Sequence, residues 1–179
     1  FEDALKWYKK ALNIREDLLG CNHISTATLY NNIGGLFYQL RKNDEALYEY
    51  QKAMLILERC YSDGHKNLAS LYNNIARIYS ARKDYVIALQ WFQKDLDMSK
   101  KFLGENHPDI AITYRGIGEV YCLMENFDEA TSWFLKAVAI REQYFGNESV
   151  ITAKSYYDIA EIAAIQGKFE FALEWYGKA

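Results

Sequence analysis

Apolar residues recur along this chain with two periods, a short one within each helix and a long one from repeat to repeat. The first apolar stripe consists of Tyr30, Ile33, Gly34 and Phe37. Its i, i+3, i+4, i+7 spacing places these residues on one side of a helix with a period of about 3.6 residues. The same residue types return every 42 residues, and the clearest series is Tyr30, Tyr72, Tyr114 and Tyr156. A fixed period of this length predicts stacked helical units, each of which buries its apolar face against its neighbours.

A second stripe follows the first within each period. In the first full repeat it consists of Ala46, Tyr50 and Ala53, and its equivalents start at Ala4, Ala88, Ala130 and Ala172. We call the first helix of a repeat helix A and the second helix B. Small residues such as Gly34 on helix A and Ala46 on helix B allow the two helices to approach closely, as an antiparallel hairpin. Four A stripes and five B stripes therefore predict an all-α fold of nine helices.

The 42-residue register also sets the expected domain organisation. We expect a single array over residues 1–179 of about four and a quarter repeats. Its parts are a partial repeat at 1–19 that holds helix B only, repeats at 20–61, 62–103 and 104–145, and an incomplete last repeat at 146–179. Because the first and last residues both fall inside a repeat, we expect the sequence to be an excerpt of a longer chain.

The connections between helices carry their own signals. Gly20, Gly104 and Gly146 lie near the ends of B helices, where a residue with positive φ often forms the cap. Pro108 stands where a first helical residue is tolerated. The acidic pairs, Asp44-Glu45 and Asp128-Glu129, fall in the first turn of helix B, so favourable interaction with the helix dipole explains them better than acid–base catalysis.

Composition narrows the class of partner. The net charge is −3 and the charged residues are scattered, whereas a protein that binds the nucleic-acid backbone is expected to carry a basic stripe. No apolar run approaches the roughly 20 residues needed to cross a bilayer, so we expect no membrane insertion. Cys21, Cys60 and Cys122 occupy different register positions and include no C-x-x-C pair, which favours free thiols in a reducing, cytoplasmic setting.

Two series of residues suggest a functional site, but each has a simpler structural interpretation. His23, His65 and His107 share one register, but residues in successive packed helices lie about 8–10 Å apart, too far for one metal ion. We expect these histidines to lie in loops or caps, with no metal. The tryptophans Trp7, Trp91, Trp133 and Trp175 also share a register, and we expect them to pack between repeats.

No catalytic or nucleotide-binding motif stands out from the repeat pattern. The glycines at 116 and 118 follow no predicted strand, and the sequence contains no G-x-x-x-x-G-K motif. No nucleophile is paired with a base in a plausible geometry. We therefore expect a binding protein without a cofactor, not an enzyme.

Specific motifs carry a resemblance to a known family. Helix A contains Asn-Asn-Ile-Gly at 31–34 and Asn-Asn-Ile-Ala at 73–76, and the linker at 103–111 reads Leu-Gly-Glu-Asn-His-Pro-Asp-Ile-Ala. With Ala-x-x-x-Tyr-x-x-Ala on helix B, the chain resembles the tetratricopeptide repeat over its whole length, and in particular the kinesin light chain-like subclass. The resemblance implies a right-handed α-solenoid whose concave wall of A helices holds a peptide or a partner's helix. Asp95 departs from the pattern, since the family prefers alanine there.

A helical wheel identifies the side of helix A that faces away from the apolar stripe. With about 100° per residue, the first wall is Thr28, Asn31, Asn32, Gly35 and Gln39, and the second is Ser70, Asn73, Asn74, Arg77 and Ala81. The third wall is Ile112, Arg115, Gly116, Glu119 and Leu123, and the fourth is Lys154, Tyr157, Asp158, Glu161 and Ile165. The predicted groove is therefore rich in amides and hydroxyls in its first half and mixes charges with apolar residues in its second.

An asparagine amide offers both a donor and an acceptor to a peptide backbone. The main clamp candidates are Asn31, Asn32, Asn73 and Asn74, which the family resemblance also implies as backbone contacts. The alternative is that one asparagine of each pair caps a loop or bonds a neighbouring helix.

The cations of the walls form a second group of candidates. Arg77, Arg115 and Lys154 are expected either to meet acidic groups on the ligand or to be solvated surface. Gln39, Glu119 and Tyr157 complete the predicted peptide-binding set.

Function is thus predicted to be peptide or protein binding in the groove. Two alternatives fit the repeats equally well: self-association through exposed solenoid ends, which would give a homo-oligomer, and regulation within a larger signalling protein by binding a segment of its own chain.

Overall fold

The computed structural model describes residues 2–179 and contains only helices in that part of the chain. The B helices are α1 (Glu2–Leu19), α3 (Asn43–Cys60), α5 (Tyr85–Leu103), α7 (Phe127–Phe145) and α9 (Phe169–Lys178). The A helices are α2 (Ile24–Gln39), α4 (Lys66–Ala81), α6 (Pro108–Leu123) and α8 (Val150–Ile165). The predicted alternation of A and B helices is confirmed, and so is the all-α fold class.

The helices group into two compact units. Unit 1 ends at Met98 and unit 2 runs from Ser99 to Ala179. The core of unit 1 contains the apolar stripes of α2, α3 and α4, including Tyr30, Tyr50 and Ile75. The core of unit 2 contains those of α7, α8 and α9, including Phe134 and Ile159.

Histidine begins three of the four A helices. The Nδ1 atoms of His23, His65 and His107 accept a hydrogen bond from the backbone N–H two residues further on, at 3.2, 3.1 and 3.2 Å. Ser149 caps α8 in the same way, through its Oγ at 3.3 Å. Each bond satisfies one of the N–H groups that the first turn of a helix leaves unpaired. The prediction that these histidines are caps is confirmed.

The A–B turns share one backbone motif. In the first turn the N–H of Lys42 donates to the carbonyl of Phe37 at 2.9 Å, and the N–H of Arg41 donates to that of Tyr38 at 3.0 Å. This pairing is the Schellman motif, which requires a residue with positive φ at the turn. The residues at that position are Arg41, Lys83, Glu125 and Gly167, with φ of 59°, 67°, 59° and 72°. Gly20, Gly104 and Gly146 at the ends of B helices also have positive φ, as predicted.

Glycine allows the closest contact between helices A and B. A Cβ atom added at Gly34 would lie 2.6 Å from the Tyr50 ring, and one added at Gly118 would lie 2.9 Å from the Phe134 ring. In these two hairpins the aromatic ring of helix B therefore lies directly against the backbone of helix A.

Three of the four tryptophans lie against a tyrosine ring. Trp91, Trp133 and Trp175 contact the tyrosine of helix A in their own repeat, with ring centroids 5.5, 5.4 and 5.6 Å apart. This packing joins the two helices of one hairpin, because helix A of the same repeat presents its tyrosine to this side of helix B. Tryptophan packing between repeats stays a prediction.

Asp95 on α5 is a buried carboxylate, only 3% exposed. The equivalent B helices carry alanine at Ala11, Ala53 and Ala137. The Asn73 amide donates a hydrogen bond to the Asp95 carboxylate at 2.8 Å, and this contact helps to offset the cost of burying the carboxylate.

Neither a membrane span nor a metal-binding cluster occurs among residues 2–179. None of the described helices is both long and apolar enough to cross a bilayer. No three His, Cys, Asp or Glu side chains in this part of the chain are placed to hold a metal ion.

Candidate functional site

The predicted polar walls of α2 and α4 form one continuous surface within unit 1. We call it the unit 1 A face. It comprises Thr28, Asn31, Asn32, Gly35 and Gln39 of α2 with Ser70, Asn74 and Arg77 of α4, and these residues line two adjoining pockets. These eight residues, which the helical wheel assigns to the side away from the apolar stripe, lie together on this face.

The larger pocket, which we call the Tyr50 cleft, holds about 340 Å³. Its lining residues are Tyr8, Asn31, Asn32, Gly35, Leu36, Tyr38, Gln39, Tyr50, Asn74 and Arg77. Most of these side chains end in an amide, a hydroxyl or a guanidinium, so the cleft is rich in hydrogen-bond donors.

The smaller pocket lies further toward the N-terminal ends of α2 and α4 and holds about 150 Å³. Its polar lining consists of Thr28, Asn31, Asn67 and Ser70, over an apolar base that includes Leu57 and Leu71. Asn31 lines both pockets, so the two are neighbours along the same face.

A hydrogen bond between repeats crosses the unit 1 A face. The Asn74 amide Nδ2 donates to the Asn31 Oδ1 at 3.1 Å, across 43 residues of sequence. Both side chains are half-buried, and the bond joins α4 directly to α2. Each of the two asparagines keeps a further hydrogen-bonding group, since an amide has two N–H donors and one carbonyl oxygen.

Asn73 differs from the other three clamp candidates. Its amide donates to the buried carboxylate of Asp95 on α5, and it lines neither of the two pockets on the unit 1 A face. The alternative left open by the sequence, that one asparagine of a pair bonds a neighbouring helix, therefore describes Asn73. A ligand contact by Asn73 stays a prediction.

Arg77 supplies the positive charge of the Tyr50 cleft. Its guanidinium lies over the Tyr38 ring, 5.4 Å from the ring centroid, in a cation–π arrangement. Among residues 2–179 no carboxylate forms an ion pair with it, and the described lining of the cleft includes no aspartate or glutamate. The charge of Arg77 is thus directed at the cleft without a resident counter-ion.

The corresponding face of unit 2 has a different electrostatic character. Arg115 of α6 forms ion pairs with Asp158 of α8 at 2.7 Å and with Glu119 at 3.0 Å. Burial alone would lower the pKa of Arg115, but the Asp158 hydrogen bond and the two carboxylate charges outweigh it and raise the pKa. A ligand carboxylate at Arg115 would therefore compete with two carboxylates of the protein itself.

Tyr157 and Lys154 complete the predicted set in unit 2. The Tyr157 hydroxyl bonds Glu161, and this contact raises the tyrosine pKa. Its ring meets that of Tyr176 on α9 edge-on, with centroids 5.6 Å apart. Lys154 is exposed on α8. Whether these side chains bind a ligand stays a prediction.

The comparison with protein families gives a single answer. The family model of the tetratricopeptide repeat matches residues 1–59, 25–101, 67–138 and 109–179, which together span the chain. The chain belongs to the tetratricopeptide repeat family. No curated protein matches this TPR sequence.

Solved structures show the same fold at low sequence identity. BtubC (BKLC) from P. vanneervenii superposes with a TM-score of 0.83 at 12% identity, over 99% of this chain and 71% of that one. A Podosopora anserina protein described as kinesin light chain-like, with nearly identical TPR-like repeats, gives a TM-score of 0.77 at 17% identity, over 99% of this chain and 84% of that one. The resemblance to kinesin light chain-like TPR proteins is confirmed at the level of fold.

A Rap protein extends the comparison to a liganded structure. It was solved in complex with competence and sporulation factor, and it superposes with a TM-score of 0.81 at 19% identity. The match covers 98% of this chain and 46% of the Rap protein. With these likenesses the expected α-solenoid fold of TPR hairpins is confirmed.

Sequence reasoning missed two tyrosines of the TPR surface. Tyr38 and Tyr50 line the Tyr50 cleft, whereas the sequence pattern places Tyr50 in the apolar stripe of helix B. A signal was present, because the equivalent positions in the next two repeats are Phe92 and Phe134, which lack the hydroxyl group.

A pocket of unit 2 also lies outside the predicted walls. It holds about 730 Å³ between α7 and the start of α9, with the apolar side chains of Leu135 and Phe171 in its lining. At its edge Asp128 forms an ion pair with Lys168 at 3.2 Å. This pocket lies outside the predicted walls because helix B residues and an A–B turn form it, whereas the walls contain helix A residues only.

Proposed function

We propose that this chain is a protein-interaction module that binds a peptide, or a helix of a partner protein, on the faces of its A helices. The observation that carries the proposal is the pair of adjoining polar pockets on the unit 1 A face, joined at Asn31. Polar groups that are half-buried and lie along one face can form hydrogen bonds to a ligand at low cost in ordering.

The asparagine bridge supports an extended ligand. The bond from Asn74 to Asn31 holds both amides in place before a ligand arrives. It leaves the Asn31 amino group as a donor and the Asn74 carboxamide oxygen as an acceptor. A peptide backbone offers the complementary pair, so both groups can hold it without regard to its side chains. Asn32 and Gln39 add further amides on the same face.

The charge distribution favours acidic groups of the ligand on unit 1. Arg77 has no carboxylate partner in the described part of the chain, whereas Arg115 has two. We propose that Arg77 meets acidic side chains and that Arg115, with Glu119 and Asp158, forms a neutralised wall in unit 2. Lys154 and Tyr157 are proposed to contact the ligand beyond it. A fold neighbour, the Rap protein in complex with competence and sporulation factor, gives precedent for ligand binding by this architecture.

The test is selection from a displayed peptide library against the chain, followed by titration of a selected peptide. The double variant Asn31→Ala with Asn74→Ala should weaken binding by about tenfold, since each lost bond to a ligand costs roughly 0.5–1.5 kcal/mol. Gln51→Ala removes an exposed amide from helix B of the same unit and should leave the affinity unchanged. Full affinity in the double variant would contradict the proposal.

Self-association is a second candidate, and the exposed face of α9 favours it. Leu173 is 70% exposed, whereas Leu47 at the same register is 8% exposed. Tyr176 is 39% exposed, whereas Tyr50 is 2% exposed. Apolar side chains that the repeat pattern buries elsewhere would contact a second copy here, or the next helix A where the chain continues. Light scattering at several protein concentrations, without peptide, would show a mass that rises with concentration if this candidate is right.

A further inference from the structure

The pocket between α7 and the start of α9 lies outside every predicted wall, and we call it the helix B pocket. It belongs to unit 2 and holds about 730 Å³. Its apolar lining residues, Leu135 and Phe171, are 39% and 38% exposed. The polar residues around them include Thr131, Lys136 and Glu170. An apolar surface with a few polar groups is the usual lining of a binding site, and this pocket has room for more than one side chain of a ligand.

Threonine at position 131 opens the pocket. The other four B helices carry leucine in this register, as Leu5, Leu47, Leu89 and Leu173. Leu47 is only 8% exposed, and Leu5 and Leu89 are half-buried. The Thr131 hydroxyl group instead donates to the carbonyl oxygen of Phe127 at 2.8 Å. The hydroxyl group is thus satisfied within α7, and the shorter side chain leaves space beside the helix that a leucine would occupy.

Apolar residues line this space where the other repeats are polar. The leucine missing at position 131 occurs one turn later, as Leu135, and the other B helices carry Lys9, Gln51, Gln93 and Gly177 there. Phe171 departs from its register as well, because three of the four equivalent residues are acidic, namely Asp3, Glu45 and Glu129. Exposed apolar surface beside a cavity gains free energy when a partner covers it.

Two unpaired charges mark the ends of the helix B pocket. Lys136 follows Asp128 by eight residues on α7, which corresponds to about 12 Å along the axis. Glu170 lies at the Asp128 end, since Asp128 forms an ion pair with the neighbouring Lys168 at 3.2 Å. Neither Lys136 nor Glu170 forms an ion pair within the described range 2–179. The Lys136 ammonium group lies 3.8 Å from the centroid of the Trp133 ring. The pocket therefore offers an ammonium group at one end and a carboxylate at the other.

The order of these charges selects one orientation for an added helix. Acidic side chains stabilise the N-terminal turn of a helix, and basic side chains stabilise its C-terminal turn. In a helix that lies antiparallel to α7, the acidic turn meets Lys136 and the basic turn meets Glu170. Apolar side chains between the two turns then lie against Leu135 and Phe171. In the parallel orientation the same helix would place like charges together at both ends.

We propose that the helix B pocket of unit 2 docks an amphipathic helix of a partner protein, antiparallel to α7, with its apolar side chains against Leu135 and Phe171, an acidic residue at Lys136 and a basic residue at Glu170. This second interaction surface goes beyond the proposed function, which concerns the faces of the A helices. It does not depend on that function, because the two surfaces share no residue.

Two designed peptides test the proposal with the 179-residue chain. Both are alanine- and glutamine-based helices of about 18 residues, long enough to form helix in water. The acid-first peptide carries an aspartate and, eight residues later, a lysine, with two leucines between them on the same face. The base-first peptide exchanges the aspartate and the lysine. NMR signals of the Leu135 methyl groups and the Phe171 ring report binding. The acid-first peptide should shift both signals in a saturable way and bind about fivefold more tightly than the base-first peptide.

Three variants connect the binding to the geometry. Thr131→Leu restores the residue of the other four B helices, so it should fill the pocket without harming the fold, and it should weaken the acid-first peptide by about tenfold or more. The same change at the exposed Thr28 of the unit 1 A face is the matched control and should have no effect. The double variant Lys136→Glu with Glu170→Lys should reverse the preference, so that the base-first peptide binds more tightly. A local packing defect would weaken both peptides and would not reverse their order.

Several results would overturn the inference. They are equal affinity of the two peptides for the parent chain, no binding of either peptide, and unchanged binding in Thr131→Leu. An unchanged preference in the charge-reversed double variant would also refute the antiparallel orientation. Shifts of the Leu135 and Phe171 signals with rising concentration of the chain alone would show a second copy in the pocket, and would refute its assignment to a partner helix. Failure here leaves the proposed function intact, because loss of affinity in Asn31→Ala with Asn74→Ala tests a different face.

Discussion

Asn74 of α4 donates a hydrogen bond to Asn31 of α2, which precedes it by 43 residues. The same offset joins Arg115 of α6 to Asp158 of α8. Because the repeat length is 42 residues, both pairs connect one register position of helix A to the next position in the following repeat. Each unit therefore contains a polar bridge at the equivalent place, as an amide pair in unit 1 and an ion pair in unit 2.

The equivalence of the two bridges predicts that one can replace the other. Asp158→Ala should lower the free energy of unfolding by about 1–2 kcal/mol, because it leaves the half-buried Arg115 with one carboxylate instead of two. The double variant Arg115→Asn with Asp158→Asn reproduces the amide bridge of unit 1 and should recover part of that loss. Urea unfolding of the three proteins measures the effect. A double variant less stable than Asp158→Ala would show that the bridges are not equivalent.

Gly118 marks the closest approach of α6 to α7. Gly118→Leu should destabilise the protein by about 1–3 kcal/mol, because an added Cβ already lies 2.9 Å from the Phe134 ring and the larger side chain has no room. Gly177→Leu is the matched control, since nothing lies within 4 Å of a Cβ at that helical position. Melting temperatures of the two variants should differ clearly. Equal values would mean that the hairpin packing is assigned to the wrong residues.

The buried tyrosines predict a loss of stability at alkaline pH. Burial raises the pKa of Tyr50 to about 12, above its value of about 10 in an unfolded chain. A raised pKa means that the folded state keeps its proton longer, so the contribution is complete below about pH 10 and is lost as the pH rises toward 12. The full contribution is on the order of 2–3 kcal/mol.

Tyr50→Phe should accordingly reduce the fall in unfolding free energy between pH 10 and pH 12, as measured by chemical denaturation. The fall should not vanish, because the pKa values of Tyr30, Tyr72 and Tyr156 are also raised, mainly by burial. Tyr144→Phe, at a 62% exposed position, is the control and should behave as the parent. Parallel curves for Tyr50→Phe and the parent would contradict the assignment of Tyr50 as a buried, neutral donor.

The A–B turn offers a stabilising change. Glu125 has φ of 59°, a conformation that costs a residue with a Cβ atom about 1–2 kcal/mol relative to glycine. Glu125→Gly should therefore raise the unfolding free energy by about 1 kcal/mol after the extra flexibility of glycine in the unfolded chain is included. Gly167→Ala, the reverse change at the equivalent turn with φ of 72°, should lower it by a similar amount. A lower unfolding free energy for Glu125→Gly, or a higher one for Gly167→Ala, would refute the shared turn geometry.

The repeat register determined how much of the fold could be predicted. Apolar spacing within each repeat fixes which face of a helix is buried, so the helices, the His23-type caps and the positive φ of Gly20 followed from sequence alone. The partner of each tryptophan did not follow. Both the preceding helix A and the neighbouring repeat are apolar, and only three-dimensional packing shows that Tyr72 lies against Trp91.

The candidate site was predicted less completely than the fold. The wheel placed Asn31, Asn32 and Arg77 on the polar face, because direction around a helix is a local property. It could not show that Asn73 bonds Asp95, since that contact depends on a buried carboxylate 22 residues away. Nor could it show that the Tyr50 hydroxyl reaches through to the same face, which requires the glycines on the opposing helix.

The most direct test of peptide binding on the A helices is to locate the bound peptide on the protein. NMR titration of the isotope-labelled chain reports the side-chain amide signals of Asn31, Asn32 and Asn74 and the Nε–H of Arg77. The account predicts saturable shifts of these signals on unit 1 with one dissociation constant. Shifts confined to Leu135, Phe171 and the helix B pocket of unit 2, with the four signals of the A face unmoved, would contradict it.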